Sequence, residues 1–210
     1  MLREFCSQNT TNVRKAICAG ASRIELCDDL AVGGVTPSDE VIERTTTLAH
    51  GLGASVMVMV RPRGGDFAYS DEELAAMENT ICTARDLGAD GVVFGCVRKG
   101  VLDTDATRQL VQTAAGLDLT FHMAFDEILP SQQFDALVTL ANMGFSRVLT
   151  HGGSLDQPIE RCLPRLREFV MQAGDRISIM PGGGVTWQNA ASICAELGVQ
   201  EVHGTRIVRW

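Results

Sequence analysis

The chain has almost no lysine: among its 18 basic residues only Lys15 and Lys99 are lysines. One falls in an expected helix and the other in a loop, so Schiff-base chemistry inside a fold built from these segments is disfavoured. No stretch reaches the roughly 18 consecutive apolar residues of a membrane span, and MLREFCSQNT holds no apolar signal core. The expectation is a cytoplasmic protein with no membrane partner. An excess of positive charge is also missing, since 26 acidic residues leave a net charge of -8, the wrong sign for a nucleic-acid surface. The seven cysteines show no CxxC spacing and are odd in number, which argues for reduced thiols over a disulfide framework. Neither a linker nor a low-complexity tract divides the chain, so residues 1–210 read as one domain.

What is present is periodic. Short apolar, β-branched runs occur near 2–6, 23–27, 55–61, 91–95, 118–123, 147–151, 177–181 and 201–205, their ends recurring every 21 to 34 residues. Helical spacing fills the gaps at 12–19, 38–50, 71–87, 104–115, 131–143, 158–173 and 186–197. Ser70 before an acidic first turn reads as an N-cap, and Gly20, Gly88, Gly144 and Gly198 read as left-handed C-caps. Eight strands alternating with helices predict an α/β fold, a TIM (β/α)8 barrel. Only four residues follow the eighth strand segment and its next residue, Arg206, so the eighth helix is short or missing. The groove it leaves is expected to be bare unless a further copy covers it, hence an expected homo-oligomer.

Alternation of side chains along each strand then sorts the residues. Val56, Val58 and Val60 face the helices, leaving Met57, Met59 and Arg61 inside, and the same parity places Glu4 with Cys6, Glu25 with Cys27, and Glu201 with His203 and Thr205 in the interior. In the fifth strand Phe121 and Met123 read as outward, Thr120 and His122 as inward. Charged groups in a barrel are costly unless paired or solvated, and at the carboxyl ends of strands they mark a site.

Three loops carry chemistry. Arg61, Arg63 and Asp66 surround Pro62, Gly64 and Gly65, a combination that suits a carboxylate or phosphate clamp; the plain alternative is a turn with solvated arginines. Gly182, Gly183 and Gly184 follow the seventh strand, where this fold commonly binds phosphate. Thr150 ends the sixth strand, and His122 with Asp126 is spaced to form an acid/base pair. The same groups, with Glu25 and His203, are alternative metal ligands, a spacing that specifies no particular ion.

The segments IELCDDLAVGGVTPS, VRPRGGDFAYSDEE, FHMAFD, LTHGG and MPGGGV together resemble the CutC family, described as copper homeostasis proteins. The resemblance spans almost the whole chain, with Met123 standing where many members carry arginine. It implies a TIM barrel and cytosolic copper handling. Copper(I) prefers thiolate and thioether ligands, and Cys6 and Cys27, on the inward parity of neighbouring strands, are the expected pair, with Met57 or Met59 beside them. The helix cysteines Cys18, Cys82, Cys162 and Cys194 read as small core hydrophobes. A competing expectation is an enzyme for a small anionic, phosphorylated metabolite, with Arg61, Arg63, Asp66, Thr150, the Gly182–Gly184 loop and His203 on the ligand, and Glu25, His122 and Asp126 as catalytic groups.

Overall fold

A computed structural model describes residues 1–210. Elements follow the order β1 (Leu2–Gln8), α1 (Val13–Cys18), β2 (Arg23–Cys27), α2 (Asp39–His50), β3 (Ser55–Met59), α3 (Asp71–Asp86), β4 (Gly91–Phe94), β5 (Val97–Arg98), β6 (Val101–Leu102), α4 (Thr104–Thr113), β7 (Asp118–Phe121), α5 (Gln133–Met143), β8 (Arg147–Thr150), α6 (Ile159–Ala173), β9 (Ser178–Pro181), α7 (Ala190–Leu197) and β10 (Glu201–Gly204). Eight of the strands form one parallel sheet in the order β10-β1-β2-β3-β4-β7-β8-β9. The sheet curls into a nearly closed TIM barrel with seven helices outside it. Its closing seam, between β9 and β10, is bridged by Thr186 and Arg206 just beyond the strand ends. No helix is long and apolar enough to cross a membrane.

Two separate apolar phases follow from strand parity. Outward residues such as Ile24, Leu26, Val56, Val58, Phe94 and Val202 merge with the inner faces of the helices into the main core. Each fully buried Val, Leu or Ile there contributes about 1.5–3 kcal/mol. Inside the barrel lies a second, small cluster of Cys6, Cys27, Met57, Met59 and Val93. A glycine shapes this interior. At Gly91 an added Cβ would clash with the Asp118 carbonyl oxygen and with Met57 Cε, and the oxygen belongs to backbone that cannot yield. Gly91→Ala is expected to destabilise the protein by about 1–3 kcal/mol through overpacking, read as a lower denaturant midpoint at unchanged slope.

The helix ends obey their local signals. Ser70 Oγ accepts the Glu73 N–H at 3.3 Å while Glu73 Oε2 accepts the Ser70 N–H at 2.8 Å, a reciprocal cap that fixes the start of α3. Gly144 and Gly198 close α5 and α7 at positive φ. Helix α7 starts later than the spacing predicts, because Asn189 Oδ1 accepts the Thr186 N–H at 2.7 Å and holds 186–189 in a turn. The eighth helix is absent, as expected, but its groove is not bare. Ile207 and Val208 are buried, and the Trp210 ring stands edge-on to Phe5 with centroids 5.5 Å apart.

Candidate functional site at the barrel mouth

The inward residues nearest the amino ends of the strands form a relay of alternating charge. Arg23 bonds Glu4 and, at 2.6 Å, Glu201; Arg147 reaches Glu201 at 3.3 Å and Asp118 at 2.5 Å. Arg23 shares its strand parity with Glu25 and Cys27, so alternation alone could have found it. Burial alone would raise the Glu4 carboxyl, but Arg23 and His203 together hold it down at about 2. Glu4 Oε1 meets His203 Nδ1 at 2.8 Å, which links the relay to the layer above.

That upper layer holds Cys6, Glu25, Cys27 and His203. Register pairs Cys6 with Glu25 and Glu4 with His203, so three neighbouring strands bring these side chains together. The ligand atoms of Cys6, Glu25 and Cys27 all lie within 4.8 Å of one another, as do those of Glu4, Glu25 and His203. Cys27 Sγ donates to Glu25 Oε2 at 3.5 Å, and His203 Nε2 stands 3.6 Å from the same oxygen. The neighbouring Cys27 thiol pulls the Cys6 thiol well below its ordinary value, while Cys6 and burial together push Cys27 well up. Burial drives Glu25 well above the carboxylate range. Burial also opposes charge on His203, but the neighbouring Glu25, Cys6 and Glu4 outweigh it and raise its pKa well above the ordinary value.

Access to the two thiols differs. The turn after β2 folds over Cys27, where Gly34 at positive φ passes so close that a Cβ would sit 3.2 Å from the sulfur. Cys27 is therefore 1% exposed, whereas Cys6 lines a cavity of about 290 Å3 at the carboxyl ends of the strands. Glu25, Met59, Arg61, His122, Gly183 and His203 share that cavity. So do Phe67 and Met123, the first of which strand alternation had no means to place.

Several expected roles do not survive the geometry. His122 and Asp126 form no pair: residues 123–127 wind into a 3-10 turn that sends the Asp126 carboxylate to Thr150 Oγ1 at 2.5 Å and to the N–H groups of His151 and Gly152 at 2.9 and 3.2 Å. Thr150 and Asp126 thus tie two loops together and neither lines the cavity. Asp126→Ala is expected to cost about 1–3 kcal/mol of stability by orphaning those donors, read as a lower midpoint of thermal unfolding. The same turn carries Met123 to the cavity, where the alternation predicted an outward position.

The double-arginine clamp is also undone. Arg63 Nε bonds Glu73 Oε1 at 2.5 Å, and its other nitrogens take Asp66 and the Ala68 carbonyl, so Arg63 and Asp66 serve their own loop. Arg61 alone reaches the cavity. Gly183 and Gly184 line it as well, but Gly182 lies behind them, its carbonyl facing His151 Nδ1 at 3.2 Å. His203, expected on an anion, instead faces Glu4, Glu25 and Cys6. Among the helix cysteines Cys18 is exposed, contrary to its expected burial. Cys96, between β4 and β5, lies in the main core and is pushed up to about 12 by burial.

Comparison with known proteins agrees with this architecture. The profile of the CutC family matches residues 1–208. A CutC family protein of Enterococcus faecalis is 47% identical over 99% of this chain and all of its own. The human protein named copper homeostasis protein cutC homolog is 40% identical over 96% of this chain and 72% of its own. The crystal structure of a CutC protein from Streptococcus agalactiae superimposes with a TM-score of 0.96 at 46% identity, covering 99% of this chain and all of the other. With its barrel and its near-complete matches to these relatives, this chain belongs to the CutC family.

Proposed function

We propose that the protein handles copper(I) as cargo, holding it between Cys6 Sγ and Cys27 Sγ at the mouth of the barrel. The observation that carries this reading is the convergence of the two sulfurs within 4.8 Å, close to two metal–thiolate bonds of about 2.3 Å laid end to end. Charge supports it. Two thiolates and one copper(I) sum to a single negative charge, and the His203 imidazolium beside Cys6 balances it in a place where an unpaired charge would be costly. Soft thiolate ligands suit copper(I) and disfavour hard ions such as magnesium, and Met57 and Met59 share the small interior cluster with both cysteines. The names of relatives such as the human protein point the same way. Thiols kept free for a metal need a reducing compartment, which the cytoplasm provides.

The test is a competition titration of copper(I) against a strong chelator, anaerobic and under reducing conditions. One copper per chain with tight binding is expected; weak binding, or a stoichiometry unrelated to the thiol pair, would overturn the reading. A second reading, an enzyme acting on a small anionic metabolite, keeps one observation in its favour: Glu25 and His203 stand 3.6 Å apart on a cavity that also holds Arg61.

A further inference from the structure

The cavity is far larger than a copper ion requires, and three of the residues around it carry buried polar atoms with no partner: Arg61 Nε, His122 Nε2 and Glu25 Oε1. A buried donor or acceptor left unmade is costly, and three on one cavity call for a common cause.

Arg61 is the most telling. Its side chain is buried, its Nη1 donates to the Val32 and Gly34 carbonyls at 3.0 and 3.1 Å, and its Nη2 donates to the Gly65 carbonyl at 2.8 Å. No carboxylate lies within ion-pair distance of it, whereas Arg23 and Arg147 each have two. It is a fixed positive charge, 5% exposed, held over the Phe67 ring at 4.7 Å without a counter-ion. His122 is buried on the same cavity. Its Nδ1 accepts the Ala124 N–H at 3.2 Å, so the ring proton sits on the unpartnered Nε2, and burial together with the Arg61 charge holds its pKa down at about 3. The ring is wedged by Gly95, where a Cβ would come within 2.8 Å of it, and lies 4.9 Å from Phe67. A guanidinium N–H and a neutral imidazole N–H are thus both locked in place by packing.

We propose that this cavity is a binding site for a small organic monocarboxylate bearing a hydroxyl group, with the carboxylate taken by Arg61 and His122 and the hydroxyl by Glu25. A single negative charge matches the single buried, uncompensated cation, since Arg63 is consumed by Glu73 and Asp66 and Arg206 stands exposed at the rim. A phosphate dianion would bring a second charge that no second buried, uncompensated cation on the cavity meets. The carboxylate contacts, Arg61 and His122, are not used by the thiol pair, whereas Glu25, which takes the hydroxyl, also accepts from Cys27.

Glycolate, lactate, acetate and inorganic phosphate, titrated calorimetrically into the intact protein, test it. Glycolate or lactate is expected to bind one per chain and at least about tenfold more tightly than acetate or phosphate. His122→Phe keeps the ring packing and removes the N–H, and is expected to weaken binding by about tenfold or more; Arg61→Lys keeps the charge but changes the donor geometry, with a similar loss. Should Arg61→Lys fail to fold, His122→Phe carries the test alone. Phosphate binding as tightly as the hydroxy acids, affinity unchanged in His122→Phe, or no saturable binding of any hydroxy acid would each overturn the proposal.

Discussion

Replacing both interior cysteines, Cys6→Ser/Cys27→Ser, is expected to weaken copper(I) binding by at least about a thousandfold, because hydroxyls are poor ligands for a soft ion and nothing else at the mouth offers two thiolates. Each single variant should lose most of that affinity, since one remaining thiolate cannot bridge to a partner. The folded state should survive. Cys6 and Cys27 belong to the small interior cluster and not to the main core, and serine preserves volume beside Glu25 and His203, which can accept and donate to it. Circular dichroism of the double variant should therefore match the parent. Retention of tight copper(I) binding in that variant would move the metal elsewhere, the Glu4, Glu25 and His203 group being the next place to look.

The second large effect concerns the relay beneath the site. Arg23→Met removes the common partner of Glu4 and Glu201, leaving the fully buried Glu4 and the partly buried Glu201 opposed only by His203 and Arg147. Breaking a buried pair from one side costs about 3–5 kcal/mol, more than the pair itself is worth, because the remaining charge keeps its desolvation penalty. The pH dependence carries a signature. Glu4 is held at about 2, below its value in the unfolded chain, so its contribution is full above the ordinary carboxylate range and is lost as pH falls through the interval down to about 2. In Arg23→Met that carboxyl rises, and the acid limb of the stability profile should flatten over the same interval. Urea unfolding of both proteins between about pH 2 and pH 6 measures it. A parent and variant of equal stability would show that the relay is not a structural device.

The barrel strands were legible because parallel strands buried on both faces leave a continuous apolar signature, and their parity then sorted Val56 and Val58 from Met57 and Met59 correctly. The hairpin of β5 and β6 escaped notice because each strand is two residues long. Its signal was the Lys99–Gly100 dipeptide, both residues at positive φ, the backbone of a tight reversed turn. Like parity on adjacent strands allowed the two thiols to meet without requiring it: Cys6 stands opposite Glu25 and Cys27 opposite Gln8, and only the register shows that the sulfurs converge. The supposed His122–Asp126 pair was misread because spacing assumes a regular element where the chain makes a 3-10 turn. Whether an arginine faces a ligand or its own loop is likewise unwritten in local sequence. Arg63 is claimed by Glu73, ten residues away and already engaged as the cap of α3, while Arg61 is left without a carboxylate only because the loops around it offer carbonyls.

The tail that stands in for the missing helix also gives the molecule an optical reporter. Both of its tryptophans sit at or beside the closing seam: Trp187, 43% exposed, has the Arg209 guanidinium 5.0 Å over its ring and donates its backbone N–H to the Arg206 carbonyl, and Trp210, 55% exposed, stands against Phe5. Neither lies in the main core. Tryptophan emission therefore follows the closure of the barrel and the docking of its last residues, and circular dichroism follows the helices. If the seam opens first as denaturant rises, the emission curve will run ahead of the dichroism curve, and the separation between them measures how far ring closure is coupled to the rest of the fold.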